Sequence, residues 1–467
     1  MITVSLEWIA QRVNGELFGP DRQINNVTTD SRNLQQDDVF LALVGDKFDG
    51  HGFIEQVETA GASALIVAHR VSSQLPQIVV ADTHAALGAL GAAIKQKVAP
   101  KTVAITGSSG KTTVKEMVSA ILQRRGNVLA TAGNFNNDIG VPLTLLRLEA
   151  EHEYAVLELG ANHLGEIAYT TDLVKPDVAT IVNAAASHLE GFGSLFGVAR
   201  AKSEIFKGLD QQGMAIVNAD SQFFQYWEGK LKRQNMQSFS QSGKEQADFF
   251  ASDITLGLDG CASFELHSPV GVTGINLHIP GAHNVGNALV AAALAMNVGA
   301  SIEDVREGLA AMQQVSGRLN VKQLSNQLRI LDDTYNANVA SVKAGIDLLA
   351  SFSGRRILVL GDMAELGEKA RHYHQEVGEY AQQQSIEHVL SLGVLSQHAS
   401  EVFGQVGAHF DDIDALVSHL YQLLAPEQRD ITILVKGSRS SKMERVTAAI
   451  EASPVGKFER RREKIAC

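Results

Sequence analysis

A chain of 467 residues is too long for one ordinary core, and its 45% hydrophobic and 20% charged residues are those of a globular protein of about two to four domains. The formal charge of -12 excludes broad binding to nucleic acid or anionic membrane, so a phosphorylated ligand has to be met by a local cationic, amide-rich site. Cys261 and Cys467 make neither a disulfide framework nor a metal-ligand spacing, and "MITVSLEWIAQRV" lacks the apolar run of a secretory signal, so a reducing, cytoplasmic setting is expected.

The first hundred residues mix short strands, "VFLAL" and "ALIVA", with a helix near Phe53 to Ala60, and end at "KVAPKT". They predict a mixed α/β unit over 1–98. Within it, "TTDSRNLQQDDVFLALVGDKFDGHGFI" gathers Asp30, Ser31 and Arg32 with Asp49 and His51. An Asp–Arg pair in such a block serves either a ligand or the local fold. From Lys101, "TVAIT", "YAVLELG", "VATIVNA" and "MAIVNAD" alternate with amphipathic stretches, the rhythm of a mostly parallel sheet, here over 99–315. The run Ala288 to Met296 is far too short to span a bilayer. After "QVSGRLN" a fresh series, "RILVLGDM", "HVLSLG" and "ITILVKG", predicts a Rossmann-like unit over 316–467, with "ERRREKIAC" as a solvated end. The expected fold is three α/β domains.

The sharpest chemical signal is "AITGSSGKTT". It sits between a buried strand and a helix whose apolar face is Val114, Met117, Val118, Ile121 and Leu122. Gly107 and Gly110 let the backbone of Gly107, Ser108, Ser109, Gly110 and Thr113 wrap a phosphate at a helix N-terminus, Lys111 reaches the β/γ-phosphates, and the Thr112 hydroxyl faces Mg²⁺. Ile105 stands where the usual Walker pattern has its first glycine. The plain alternative is a glycine turn entering a helix beside a surface lysine.

Further along, Glu158 is one carboxylate in the apolar strand "YAVLELG", where an uncompensated charge is costly and a cation is the natural partner; a strand-end glutamate facing solvent is the alternative. "NAAASHLEGFGSLFGVARAKSEIF" carries His188 after a strand and Lys202 on a helix with Glu204. "GAHNVGNALVAAALA" sets Asn284 and Asn287 on one face of a helix start, where Asn284 suits an N-cap. Arg318 in "SGRLN" lies at a domain hinge, and "DDTYNANVAS" collects Asp332, Asp333, Tyr335, Asn336 and Asn338 in one polar loop after the strand "LRILD".

T-G-x-x-G-K-T is the loop variant of the Mur ligases and their folylpolyglutamate synthase relatives, and the chain resembles that family throughout. The matching elements are Glu158, His188 with its following Gly-Ser element, A-K-S-E-I-F at Lys202, H-N-x-x-N, Arg318 and D-x-Y-N-A-N, with Val339 in place of the usual proline. D-S-R and G-x-x-x-D-G-H-x-F narrow this to two branches of the family. No D-N-P-R of the diaminopimelate-adding branch occurs, whereas "LGDMAELGE" and "VKGSRSSKMERV" are similar to the branch that adds D-alanyl-D-alanine to UDP-N-acetylmuramoyl-tripeptide.

The resemblance implies an ATP-dependent amide ligase acting through an acyl phosphate, active as a cytoplasmic monomer. It implies Lys111, Glu158, His188 and Lys202 as catalytic residues. Two Mg²⁺ ions would be held by Thr112, Glu158, His188 and Lys202, the lysine carbamylated. Asn284, Asn287, Arg318 and Asp333 would bind ATP with the phosphate loop. Asp30, Ser31, Arg32, Asp49, His51, Asn134, Asn137, Tyr335, Asn336, Asn338, Lys436, Ser438 and Arg439 would bind substrate. A P-loop ATPase or kinase would use the loop and Glu158 but leaves the D-S-R block and the third unit without a purpose. A diaminopimelate- or lysine-adding ligase differs in the amine it accepts, and a non-catalytic nucleotide scaffold has no need of the metal groups.

Overall fold

In the computed structural model, which describes residues 1–45, 48–312 and 317–457, each of the three units is built on its own sheet. The expected boundary at 315/316 and the terminal "ERRREKIAC" lie outside the described residues.

The N-terminal sheet runs Glu16–Phe18, Gln77–Val79, Ala64–Val67, Val39–Leu41, Val27–Thr28, parallel except for its first pair. Its strands Val39–Leu41 and Ala64–Val67 are buried on both faces, which is why "VFLAL" and "ALIVA" read as continuous apolar runs. The unit closes with the helix Thr83–Val98, whose start is capped by the Asp82 carboxylate accepting from the backbone amides of His84 and Ala85. Leu87, Leu90 and Ile94 of this helix share one core with Val141, Leu145 and Ile167 of the central unit. Gly91 makes the fit possible, since a Cβ there would meet the Pro142 Cα at 3.1 Å.

The central sheet has nine strands, in the order Asn127–Ala130, His152–Glu158, Lys101–Thr106, Val178–Ile181, Met214–Asn218, Asn235–Ser240, Phe249–Leu256, Cys261–Ser268, Gly271–Pro280. All its pairings are parallel up to Phe249–Leu256, and the last two are antiparallel. The antiparallel end is not part of the α/β rhythm read from sequence. Its signals are the buried and exposed alternation along Gly271–Pro280 and the Asp259-Gly260 turn, with Gly260 at φ 76.

The helix Lys111–Leu122 follows the strand Lys101–Thr106 and buries Val114, Met117, Val118, Ile121 and Leu122 completely, the five positions its periodicity predicts. At roughly 1.5–3 kcal/mol per side chain, that stripe contributes on the order of 10 kcal/mol before chain entropy is counted. It fixes the helix over the sheet with its N-terminus at the carboxyl ends of the strands, where open α/β sheets bind ligands.

The C-terminal sheet runs Asn320–Gln323, Leu328–Asp333, Ile431–Lys436, Arg355–Gly361, His388–Leu392, Gly407–Phe410, parallel except for the first pair. Its register sets Asp333 against Lys436 at adjacent strand ends. Among the described residues no helix is long and apolar enough to cross a membrane.

Candidate active site

Strand register assembles the first part of the site. Ile105 pairs with Glu158, so the carboxylate that ends one strand stands beside the loop that leaves the next. Glu158 is 3% exposed; its Oε2 accepts from the Thr112 hydroxyl at 3.0 Å and its Oε1 from Asn136 Nδ2 at 2.9 Å. Two neutral donors satisfy its geometry but leave its charge unmatched, because Glu158 forms no ion pair among the described residues.

The loop itself is shaped for an anion. Gly110 is the N-cap of Lys111–Leu122 at φ 78 and supplies no side-chain cap, so the first helical amides remain available to a ligand. Asn183 braces the loop: its Oδ1 accepts from the Ser109 amide at 3.0 Å and its Nδ2 donates to the Ser109 carbonyl at 3.1 Å. Ser108 Oγ donates to the Ala185 carbonyl at 3.0 Å and accepts from Ser187 Oγ at 2.9 Å. Lys111 Nζ folds back onto the Gly107 carbonyl at 2.8 Å. Desolvation lowers the pKa of its ammonium, with Glu158 opposing the shift and Arg318 adding to it.

Lys202 is 2% exposed and forms no ion pair among the described residues; its nearest partner of note is the Phe192 ring at 5.9 Å. Burial pushes this amine well below the ordinary lysine range, the charge of Lys111 adds to the shift, and Glu158 opposes it. Next to it in the fold, His188 is held at φ 51 and pairs through Nδ1 with Glu365 of the C-terminal unit.

The C-terminal unit meets the loop at two further points. Arg318 Nη2 donates to Thr112 Oγ1 at 3.3 Å while its guanidinium lies 4.3 Å over the Tyr335 ring, and Asn338 Nδ2 donates to the Ser108 carbonyl at 3.1 Å. Lys436 Nζ bonds Asp333 Oδ2 at 2.5 Å and the Asn336 carbonyl at 2.9 Å, although burial pulls its ammonium down. Ser438 Oγ accepts from the Ala364 amide at 2.6 Å, and Arg439 pairs with Glu444 at 3.0 Å. Between the units a cavity of about 200 Å³ brings together Gly110, Asn284, Asn287, Arg318, Asp333 and Lys436. All of the residues expected to bind ATP therefore surround one loop.

Asn284 does not take the N-cap role that its residue type would suit. The chain enters the helix His283–Asn297 through Gly281, at φ 108, with Ala282 as N-cap; Asn284 lies inside the first turn and donates back to the Pro280 carbonyl at 2.7 Å. Its Oδ1 accepts from Asn287 Nδ2 at 2.8 Å, which holds Asn287 against the loop, where a Cβ on Gly110 would meet Asn287 Oδ1 at 2.8 Å.

The D-S-R block lines a separate groove of about 810 Å³ at the junction with the central unit, bordered by Phe48, Phe53 and Phe135. Asp30 binds Arg32 through the backbone amide at 3.0 Å and the guanidinium at 2.8 and 3.0 Å, and with Asn33 this holds its carboxyl far below the usual range. Ser31 lines the same groove. His51 turns inward, its Nδ1 on Asp49 at 2.6 Å and its Nε2 accepting from the Ala68 amide at 2.9 Å, so both ring nitrogens are engaged within the chain. Asn134 is exposed, and Asn137 accepts from the Gly140 amide at 2.8 Å.

Four residues at the site were not singled out from sequence: Asn136, Asn183, His283 and Glu365. Asn136 lies between the two asparagines of "NFNND" that were, and Asn183 and His283 lie within segments already marked. Glu365 carries no local signal beyond the segment "LGDMAELGE".

Among known proteins, residues 23–124 match the Mur ligase family catalytic domain, 105–295 the Mur ligase middle domain and 317–439 the Mur ligase glutamate ligase domain. The UDP-N-acetylmuramoyl-tripeptide--D-alanyl-D-alanine ligase of Escherichia coli (strain K12) is 49% identical over 451 residues, covering 97% of this chain and 99% of that one. MurF from Acinetobacter baumannii superposes with a TM-score of 0.90 at 39% identity over 96% of this chain and 98% of its own. MurF ligase from Thermotoga maritima, in complex with ADP, gives 0.81 at 28% identity over 93% and 98%. Matched in all three of its units and along nearly its whole length, the chain belongs to the Mur ligase family.

Proposed function

We propose that the chain is an ATP-dependent amide ligase that joins D-alanyl-D-alanine to UDP-N-acetylmuramoyl-tripeptide, yielding the pentapeptide precursor of peptidoglycan, ADP and phosphate. The observation that carries this reading is the convergence on the uncapped start of Lys111–Leu122, where the central unit supplies Lys111 and Glu158 and the C-terminal unit supplies Arg318 and Asn338. The names and identity of the relatives point the same way, and the ADP of the Thermotoga maritima structure supports an adenine nucleotide as a ligand. Residues 1–98, 99–315 and 316–467 serve as UDP-substrate, ATP and ligase units.

Amide formation requires an activated acid. A terminal carboxylate oxygen of the tripeptide bonds to the γ-phosphorus as the β,γ-bridging P–O bond breaks, giving an acyl phosphate and ADP. The dipeptide's amine nitrogen then bonds to the acyl carbon; the C–O bond to phosphate breaks and the amine's proton is released to solvent. Lys111 and the loop amides bind and orient the phosphates, Asn284 and Asn287 border the nucleotide cavity, and Arg318 brings positive charge from the C-terminal unit. Seating that unit on the loop keeps water from the acyl phosphate, which it would otherwise hydrolyse. The groove beside Asp30, Ser31 and Arg32 takes the UDP end, with Asp49 and His51 on the segment between its lining residues Phe48 and Phe53. Asn134 and Asn137, with Tyr335, Asn336, Ser438 and Arg439, contact the peptide and dipeptide.

Magnesium fits the chemistry of the residues present. Glu158 is a buried carboxylate that forms no ion pair among the described residues, it faces a hydroxyl, and it stands where phosphates would lie. Among the described residues no group of three or more His, Cys, Asp or Glu is placed to hold a metal ion by itself. Thr112 and Glu158 would hold one ion. His188 and Lys202 would hold the other once Lys202 is carbamylated, since the amine itself offers no anionic oxygen. When bound, the ions neutralise charge on the transferring phosphoryl group. The enzyme is proposed to act as a monomer in the cytoplasm.

ADP release measured with a panel of amines tests the assignment. Turnover that requires both the UDP-linked tripeptide and D-alanyl-D-alanine is expected. Turnover with diaminopimelate or lysine on a shorter UDP-linked peptide instead, or phosphate release without any amine, contradicts it.

A further inference from the structure

We propose that Glu365 is a positioning residue: carried on the C-terminal loop, it crosses the domain interface and fixes the His188 imidazole in the orientation and tautomer that leave Nε2 free as a ligand. The inference rests on the ligase reading above, in which His188 serves a divalent cation.

The contact runs from His188 Nδ1 to Glu365 Oε2. A carboxylate has no hydrogen to give, so a contact this close is favourable only with the hydrogen on Nδ1, and in the neutral ring Nε2 then keeps its lone pair; Nδ1 is buried, its N–H is not aligned on Oε2 as a full hydrogen bond, and it has no other partner among the described residues. This is the arrangement by which a carboxylate aligns a metal-binding histidine from behind.

Both partners adopt left-handed backbone, φ 51 at His188 and φ 61 at Glu365, a conformation non-glycine residues take only where the surroundings hold them. Ser187 is tied to Ser108 of the phosphate loop at 2.9 Å, and the His188 ring meets Phe192 edge-on at 6.3 Å. On the other side, the Ala364 amide donates to Ser438 Oγ at 2.6 Å, and Gly367 is seated over the backbone of Glu190, from which a Cβ there would lie 3.9 Å. The two loops are therefore each anchored within their own unit and pressed together at one point.

Because His188 and Glu365 belong to different units, the contact forms only when the C-terminal unit is seated. Closure therefore does more than exclude water. It completes the support of a ligand at the phosphate-transfer centre, so binding at His188 and domain closure strengthen each other.

Wild type, Glu365→Gln and Glu365→Ala are compared with two readouts besides turnover. Proton–nitrogen correlation of ¹⁵N-histidine protein, saturated with a non-hydrolysable ATP analogue in chelator, gives the tautomer of His188, assigned with His188→Asn. Paramagnetic titration then gives manganese affinity, and affinity for the analogue reports folding. Wild type is expected to hold the Nδ1–H form. Glu365→Ala should mix tautomers and bind its weaker manganese about 10–100-fold less tightly. Glu365→Gln, whose amide oxygen still accepts from Nδ1–H, should stay within a few-fold of wild type. An unchanged tautomer and manganese affinity in Glu365→Ala overturns the proposal. So does a defect confined to KM for D-alanyl-D-alanine, which would assign the carboxylate to the amine. If wild type itself releases no ADP with both substrates, the ligase reading fails and the inference with it; if it does and Glu365→Ala matches it in both readouts, the inference fails alone.

Discussion

Gly110→Ala probes how tightly the phosphate loop is specified. Gly110 sits at φ 78, and placing an L-residue there costs about 1–2 kcal/mol in backbone strain alone. The new Cβ also meets Asn287 Oδ1 at 2.8 Å. Asn287 cannot simply swing away, because it is buried and its Nδ2 is bonded to Asn284 Oδ1 at 2.8 Å, which is itself anchored to the Pro280 carbonyl. Breaking that bond adds about 1 kcal/mol, for a total of roughly 2–3 kcal/mol. If the loop keeps its conformation the cost appears as lost stability in denaturant unfolding. If it relaxes, the cost appears as about 30- to 150-fold weaker ATP-analogue binding by calorimetry. Gly165→Ala is the control, with φ 94 and no atom within 4 Å of the added Cβ, so it carries the backbone cost only. A Gly110→Ala protein whose unfolding free energy and nucleotide affinity both match wild type, or match Gly165→Ala, refutes the argument.

Lys202→Met should stabilise the apo protein in bicarbonate-free buffer at pH 7 by about 1–4 kcal/mol, because a buried amine without a counter-charge is removed. Since Lys202 is held well below the ordinary lysine value of 10.5, the unfolded chain binds the extra proton; wild-type stability rises with pH and the gain from methionine shrinks toward pH 10.5. A gain that is absent or independent of pH contradicts the lowered pKa of the buried amine. Lys202→Ala should regain ADP release with short carboxylic acids, and no rescue in a normally folded variant argues against the carbamate. Arg318→Ala loses the bond to Thr112 and the stack on Tyr335, so KM for ATP should rise about 10–100-fold. In scattering with analogue and substrate it should compact less than wild type; equal compaction contradicts the hinge role. Glu427, tied to Arg429 and Arg355, has its carboxyl lowered to about 2. Its contribution is present above pH 4.5 and lost as pH falls through about 2, so Glu427→Gln should cost about 1–3 kcal/mol at pH 7, with the difference closing in acid. A pH-independent difference rules out the ion pairs as its source.

What could be read in advance was chemistry written in short contiguous stretches. Glycines at 107 and 110, a lysine and a threonine between a buried strand and an amphipathic helix have few other uses, and Glu158 stood out because a carboxylate in an apolar strand must be satisfied. The parallel strands announced themselves as apolar runs bounded by helices. Tertiary relations were not legible. Asn284 has an N-cap's residue type, but the actual cap is set by how the chain turns at Gly281, which local composition does not encode. Glu365 meets His188 only because two sheets bring distant loops together. The residue types of the D-S-R block left ligand contact and local structure equally open; the structure shows Asp30 holding Arg32 and His51 engaged on both nitrogens, an internal framework around the groove. The hairpins over Phe249–Pro280 follow strand alternation that the surrounding α/β rhythm obscured.

The central claim is that ATP activates the tripeptide's terminal carboxylate before the amine arrives. Labelling that carboxylate with ¹⁸O and following one round of synthesis tests it directly. The account predicts that one labelled oxygen leaves in inorganic phosphate for each amide formed, with the other retained in the product. Phosphate free of the label would mean that its fourth oxygen came from water by hydrolysis of ATP, and would contradict the account.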